Sequence, residues 1–157
     1  MFTIIIPTFN NLNYLTICIK SLRKNSKFNH QIIPHVNVGR DGTTKYLDSE
    51  KIEYTYTNYN SGICEGMNKA SKKAKFELIL YAHDDFYFCP DWDVVLLNEV
   101  NKIGHNRFYL SGLMINNGPI KFDCGADINS FDESKLLNNY KNINHYDFQG
   151  STWAPHL

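Results

Sequence analysis

The sequence predicts an α/β fold with a mostly parallel central sheet covered by helices on both faces. Short β-branched or apolar runs at residues 2–6, 31–38, 52–56 and 76–81 are each followed by a stretch that reads as helix, so strand and helix alternate four times before Ile103. The run at residues 76–81 is short and mostly apolar, long enough for one buried strand of a parallel sheet and too short for an ordinary helix. The chain has 157 residues, 43% hydrophobic and 20% charged, and no repeat, low-complexity tract or linker interrupts it, so residues 1–157 are expected to form a single domain with a sizeable core.

Residues 2–6, Phe-Thr-Ile-Ile-Ile, read as a first, central strand that Pro7 stops. Beyond Thr8-Phe9-Asn10-Asn11, apolar Leu15, Cys18, Ile19 and Leu22 recur at helical spacing. This is an amphipathic helix capped from its Asn-rich side, with Lys20, Arg23 and Lys24 toward the carboxyl end, where the helix dipole favours cations. A second strand is expected over residues 31–38, interrupted by Pro34. Gly39-Arg40-Asp41-Gly42-Thr43 is a dense turn signal before a short helix at residues 44–48. The third strand, residues 52–56, leads through a turn at residues 58–62 into a helix with Ile63, Met67, Ala70 and Ala74 on its inner face.

After the fourth strand, Pro90 suits the entry to a helix whose inner face is Trp92, Val95, Leu96, Val100 and Ile103. Residues 108–115 read as a further strand with Gly112 as a bulge. Beyond Asn116 the periodicity weakens, leaving residues 122–126 as a candidate strand and residues 131–140 as a candidate short helix.

Composition excludes several classes of function. Net charge is zero, so neither a nucleic-acid groove nor a patch for an anionic membrane is expected. The N-terminal apolar run is too short for a signal peptide or a membrane span, and no transmembrane segment is expected. Cys18, Cys64, Cys89 and Cys124 form no CxxC pair and lie in or beside packed segments, which fits buried free thiols, a reducing compartment and a cytoplasmic protein.

The chemistry concentrates just past the fourth strand, at Asp84 and Asp85. Ligands of open α/β sheets bind beyond the carboxyl ends of the strands, so these two acids aim negative charge at the expected crevice. Neighbouring anions repel unless a cation sits near them. Carboxylate oxygens suit Mg2+ or Mn2+, ions that keep waters and bridge to substrate phosphates. The pair therefore points to a metal and diphosphate site, with a solvated loop capping the next helix as the plain alternative. No GxGxxG follows the first strand and no P-loop occurs, which disfavours a dinucleotide-binding enzyme or a nucleotidylyltransferase.

Three motifs carry a family resemblance. Phe2-Thr3-Ile4-Ile5-Ile6-Pro7-Thr8-Phe9-Asn10 resembles the opening of glycosyltransferase family 2 proteins, a strand ending in Pro-Thr-Tyr/Phe-Asn. Residues 58–68, Asn-Tyr-Asn-Ser-Gly-Ile-Cys-Glu-Gly-Met-Asn, followed by Ala70 and Ala74, are similar to that family's Asn-x-Gly helix entry, and residues 77–85 resemble its strand and DxD-type motif. The resemblance implies a GT-A nucleotide-diphospho-sugar transferase fold. It also implies metal-assisted, inverting transfer of a sugar from a nucleotide-diphosphate donor to a hydroxyl of a glycan or other acceptor. Mn2+ or Mg2+ would be the cofactor, polysaccharide or cell-surface glycan assembly the setting, and the cytoplasm, with room for a peripheral position at the membrane, the location. A homo-oligomer is compatible with this reading.

On the matching positions, Pro7, Thr8 and Phe9 would line the nucleotide pocket, Asp84 would face the ribose, and Asp85 would ligate the metal on the diphosphate. An ordinary strand-to-helix turn is the alternative for the first three. Asn37 falls near the acidic residue with which the family reads the base, in a turn one residue shorter than the pattern; an Asn can both accept and donate. Asn68 would bond the nucleotide or cap backbone groups. His83, where many relatives have the first Asp, reads as pocket wall rather than ligand, and Arg40 as a solvated turn residue rather than a phosphate contact. Tyr54, Tyr56, Tyr59 and residues 86–88 offer aromatic faces that read as core or rim.

The catalytic base is unassigned. Asp123, Asp127, Asp132, Glu133 and Asp147 are the late carboxylates, each read as a surface residue. Residues 149–153 resemble a donor-sugar or acceptor loop, with Trp153 able to stack on a sugar or close the core. Relatives carry their base in an acceptor-side segment that would only be starting where this chain stops. A nucleotide-sugar-binding module without turnover is therefore the alternative to a working transferase.

Overall fold

The structure, a computed structural model, describes residues 1–116, 121–143 and 151–154. The chain condenses into two compact units, Met1–Ile19 with Asn29–Asp84, and Lys20–Phe28 with Asp85–Leu157.

The first unit is built on four strands, β1 (Phe2–Phe9), β2 (Gln31–Asn37), β3 (Thr55–Thr57) and β4 (Leu78–Tyr81), in the order β3-β2-β1-β4. Every pair is parallel. Successive side chains of a strand face opposite sides, yet Ile4, Ile5 and Ile6 of β1 are all fully buried, so both faces of the central strand are covered, as expected. Each such isoleucine contributes roughly 1.5–3 kcal/mol by leaving water. The connecting helices are α1 (Leu12–Asn25), which starts in this unit, α2 (Thr43–Ser49) and α3 (Gly62–Ser71). The predicted inner face of α1 is correct, with Leu15, Cys18, Ile19 and Leu22 at most 1% exposed.

Both prolines expected to interrupt strands lie inside them. Pro7 pairs with His35 and Pro34 with Ile6 in the β1–β2 ladder. β4 pairs with β1 only through Ile5, and β3 joins β2 only from His35 onward, so each proline has one flank with no strand to bond. A missing N–H is tolerated at such an open flank.

Three further expectations are corrected. The fourth strand is a half-exposed edge strand of this sheet rather than a buried one, with Ile79 and Tyr81 exposed on alternate positions. Of the expected inner face of α3, Ala70 is buried and Met67 packs against the core, but Ile63 is exposed, Ala74 lies beyond the helix end, and Gly66 is the other buried residue. The α1 N-terminus is bonded not by its Asn-rich side chains but by Asp41, whose Oδ2 accepts from the Leu12 N–H at 2.7 Å. The Asp41 Oδ1 accepts from the Thr43 hydroxyl at 2.6 Å and its N–H at 3.2 Å, so one carboxylate serves the first turns of two helices.

The second unit contains β5 (Tyr87–Phe88), α4 (Trp92–Ile103), β6 (Leu113–Asn116), α5 (Glu133–Asn139) and β7 (Ser151–Ala154). Its sheet has the order β5-β7-β6, with β7 antiparallel to β5 and parallel to β6. The strand expected at residues 108–115 begins only at Leu113, and Gly112 precedes it rather than forming a bulge. Residues 122–126 form no strand. Of the loop expected at residues 149–153, Ser151, Thr152 and Trp153 belong to strand β7, while residues 149 and 150 and the Trp153 side chain lie outside the described residues.

Polar anchoring, invisible as periodicity, orders this unit. Asp93 is fully buried and accepts from the backbone amides of Lys27 and Phe28 at 2.8 and 2.9 Å. The Asn25 side chain donates to the Phe88 carbonyl at 2.6 Å, and the Ser21 hydroxyl accepts from the Phe88 N–H at 3.0 Å. Cys89 and Cys124 are buried thiols that burial pushes up to about 12 and about 11. All four cysteines are free, and Cys64 is exposed where a buried thiol was expected. Among the described residues no helix is long and apolar enough to cross a membrane.

Candidate functional site

A cleft of about 410 Å3 opens at the carboxyl ends of the strands in the first unit. The chain steps from β1 to β2 to β3 on one flank, then returns to place β4 on the other flank of β1. Such a reversal of direction is where open α/β sheets leave a crevice for ligands. Pro7, Thr8 and Phe9 of β1 line the cleft, as do Asn37 at the end of β2 and His83 and Asp84 beyond β4. The N-terminus of α3 contributes Gly62 and Ile63, so the positive end of a helix dipole also reaches the cleft.

Each wall has a physical cause. Asn10 closes β1 in the left-handed region at φ 49°, and its Oδ1 accepts from the Arg40 N–H at 2.8 Å, tying the loop after β1 to the loop after β2. Val38 is also left-handed, at φ 67°, and the Gly39 N–H bonds the Asn37 carbonyl across it at 2.8 Å. That is a γ-turn of the strained, positive-φ kind, rare for a β-branched residue, and it turns the chain away sharply after Asn37.

Asn37 itself is 3% exposed. Its Oδ1 accepts from the Ser61 N–H and hydroxyl, both at 2.8 Å, and from the Thr57 hydroxyl at 3.2 Å. Beneath it lies His35, fully buried, with Nδ1 bonded to the Thr55 hydroxyl at 2.7 Å and Nε2 within 3.2 and 3.3 Å of the Ser61 and Thr57 hydroxyls. Burial, reinforced by the Lys69 charge, holds the imidazole below its usual pKa and so favours the neutral ring. Gly66 packs against that ring; a Cβ there would stand 2.5 Å from His35 Cδ2.

The remaining lining is mixed. Phe9 and Ile63 are half exposed and give the cleft apolar surface. Tyr81 and His83 meet through the phenol oxygen and Nε2 at 3.0 Å, with their rings tilted and 5.0 Å apart. The Thr8 hydroxyl is buried and has no hydrogen-bond partner among the described residues.

The structure thus gathers Pro7, Thr8, Phe9, Asn37 and Asp84 at one cleft, with His83 as a wall residue. Asp85 is partly buried, next to Asp84 in the same turn, and does not line the cleft. Asn68 is exposed on α3 outside the lining, and Arg40 is likewise exposed and outside it. Sequence reasoning missed Ser61, Thr57 and His35, whose importance comes only from their bonds around Asn37. The Asn58–Gly62 turn signal was the one available hint.

The late carboxylates have local work. Asp123 and Asp127 accept backbone amides within their own turns, and Asp132 caps α5 by accepting from the Lys135 N–H at 2.8 Å. Glu133 accepts from the Tyr87 hydroxyl at 2.6 Å and pairs with Lys24 at 2.9 Å. Asp147 lies outside the described residues.

Among the described residues no three His, Cys, Asp or Glu side chains gather closely enough to hold a metal by themselves. Adjacent carboxylates such as Asp84 and Asp85 fit a Mg2+ or Mn2+ ion only where waters and a ligand's phosphates supply the other oxygens.

Solved structures of similar fold include S. aureus TarS, residues 1–349, in complex with UDP-GlcNAc. The TM-score is 0.65 at 19% identity, over 78% of this chain and 37% of that one. The mannosyltransferase PcManGT from Pyrobaculum calidifontis, in complex with GDP-Man and Mn2+, gives a TM-score of 0.55 at 18% identity, over 66% of this chain and 32% of that one. The chain therefore spans well under half the length of these neighbours. At such identities the likeness shows the fold, which is the GT-A architecture expected from the motifs. No curated protein sequence matches the chain. The sequence pattern of glycosyl transferase family 2 matches residues 3–154, nearly the whole of it, and the chain belongs to that family.

Proposed function

We propose that residues 1–157 act as one donor-binding domain of a glycosyltransferase that moves a sugar from a nucleotide diphosphate to an acceptor hydroxyl. The observation that carries this reading is that Thr8, Phe9, Asn37 and Asp84 converge in one cleft at the carboxyl ends of three parallel strands. The family pattern runs through both units, which supports treating them as one functional domain. The neighbours' complexes with UDP-GlcNAc and GDP-Man support a nucleotide sugar as the ligand class.

In this reading Phe9 and Ile63 cover the faces of the base, Asn37 meets its edge, and Asp84 accepts from the ribose hydroxyls. Asp85, adjacent to the cleft residue Asp84, would be the protein ligand of a divalent cation that comes with the donor's diphosphate, a role the Mn2+ in the PcManGT complex supports. When bound, that ion offsets the negative charge that builds on the departing diphosphate. The protein's own part is to orient the donor so that an acceptor hydroxyl displaces the nucleotide in line, inverting the anomeric carbon, while a carboxylate takes the hydroxyl proton.

One observation favours a second reading, a module that binds donor without turning it over. Each late carboxylate in the described residues is already engaged in a turn, a cap or an ion pair. Calorimetric titration with UDP, GDP, CDP and dTDP, with and without Mn2+, tests the shared core of both readings. Metal-dependent binding that Asp85→Ala abolishes, with the melting temperature retained, is the expected result; metal-independent binding, or none, overturns both. Release of free sugar or its transfer then selects the enzyme over the module.

A further inference from the structure

We propose that Asn37 selects the donor's base by donating a hydrogen bond, so that the cleft takes a cytidine nucleotide in preference to a uridine nucleotide. This rests on the nucleotide-sugar reading of the cleft and adds which base that cleft prefers. The orientation of the amide is unambiguous. A backbone N–H can only donate, so the Asn37 atom facing the Ser61 N–H at 2.8 Å is the carbonyl oxygen. With the Ser61 and Thr57 hydroxyls also aimed at it, that oxygen has three donors for two lone pairs and nothing left to accept with.

What remains is the Nδ2 group. Its two hydrogens find no acceptor among the described residues, and the residue lines the cleft. In the same lining the Thr8 hydroxyl is buried and has no hydrogen-bond partner among the described residues, a state in which buried polar groups rarely stay. Both are explained by a ligand that brings hydrogen-bonding atoms into the cleft.

The polarity of Nδ2 sets which ligand. Cytosine presents an acceptor at ring N3, to which one amide hydrogen can be given, with O2 beside it as a further acceptor. Uracil carries a hydrogen on N3, which would face the amide donor-to-donor. A site built to pair a base edge rejects an edge of the wrong polarity, because its own polar group is then left unpaired. An Asp at this position would invert the preference, since one oxygen would still serve Ser61 and the other would accept from the uracil N3–H.

The test is titration of the full chain with CDP and with UDP in saturating Mn2+, for the wild type, Asn37→Asp and Asn37→Ala, with a melting curve for each. The wild type is expected to bind CDP about tenfold or more tightly over UDP, Asn37→Asp to reverse that order, and Asn37→Ala to bind the two alike. Equal or UDP-favouring binding by the wild type overturns the inference and leaves the nucleotide reading standing. So does an unchanged order in Asn37→Asp. If the Asp variant does not fold, the comparison of wild type with Asn37→Ala decides, since discrimination that survives removal of the amide is not due to Asn37. Binding of neither CDP nor UDP overturns the base preference, and failure of GDP and dTDP as well overturns the nucleotide reading itself.

Discussion

Gly66→Ala is expected to destabilise the protein, against the rule that alanine is the better helix residue. Position 66 is inside α3, where the exchange should gain about 1 kcal/mol from helix propensity alone. The Cβ it adds would stand 2.5 Å from Cδ2 and 3.0 Å from Cγ of the His35 ring. That ring cannot swing aside freely, since Nδ1 is bonded to Thr55 at 2.7 Å and Nε2 lies within 3.3 Å of Ser61 and Thr57. Overpacking of this kind costs roughly 1–3 kcal/mol, and the pinned ring argues for the upper half of that range. The net loss is then about 1–2 kcal/mol, or a fall in melting temperature of about 3 °C or more. Urea denaturation measures it directly. The cause is isolated by repeating the exchange in a His35→Ala background, where the obstruction is gone and Gly66→Ala should become stabilising by about 1 kcal/mol. A wild-type background in which Gly66→Ala raises stability, or a double-mutant cycle with no change of sign, refutes the reasoning. The same displacement would move Ser61 off Asn37, so nucleotide affinity should fall along with stability.

Three other outcomes follow from the same bonds. His35 is held below its usual pKa first by burial and then by the Lys69 charge, so folding prefers the neutral ring. Its contribution is fully present above the unfolded value near about 6.5 and is lost as pH falls through the lower folded value, so urea midpoints should drop from about pH 7 to pH 5; His35 ring resonances titrating at or above the free value would contradict this. For Asp41, burial pushes the pKa up, but the bonds from Thr43 and the Leu12 N–H outweigh it and hold the carboxyl low. Its contribution is present above the unfolded value near about 3.9 and is lost in more acid solution, and Asp41→Ala should cost about 1 kcal/mol at neutral pH, seen as a lower urea midpoint. Val38→Asn should raise the melting temperature by about 2–4 °C, since Asn tolerates the left-handed backbone that costs valine about 1 kcal/mol; a lower melting temperature would show that the Val38 side chain contributes more than its backbone strain removes.

The elements that were legible in the sequence are those whose signal is local and periodic. The buried stripe Leu15, Cys18, Ile19 and Leu22 and the continuous Ile4-Ile5-Ile6 run sit where their spacing put them, because one apolar face or one doubly covered strand is enough to specify each. The misreadings have a common cause, which is that the outcome depended on a partner remote in sequence. Pro7 and Pro34 read as strand breakers, yet neither breaks its strand, because β4 and β3 leave one flank open at those positions. Asp41 caps α1 from across 29 residues, where the adjacent asparagines were the nearer candidates. Residues 151–154 carry no strand periodicity of their own and become β7 between β5 and β6.

The site divides in the same way. Thr8, Phe9, Asn37 and Asp84 could be placed from the sequence because each ends or follows a strand, and strand ends are where an α/β sheet presents ligand-facing groups. What each group offers a ligand could not be read, because that is set by the bonds it has already made. An asparagine is ambivalent in sequence and becomes a donor here only because Ser61, from a different loop, occupies its oxygen. Ser61 is in turn held through His35, which has room only because residue 66 lacks a side chain. The hydrogen-bonding polarity of the cleft is therefore a property of Gly66, His35, Ser61 and Asn37 together. Under the base preference proposed for Asn37, a substitution at any of the first three changes the CDP-to-UDP affinity ratio without touching the base, which titration of Gly66→Ala with both nucleotides measures.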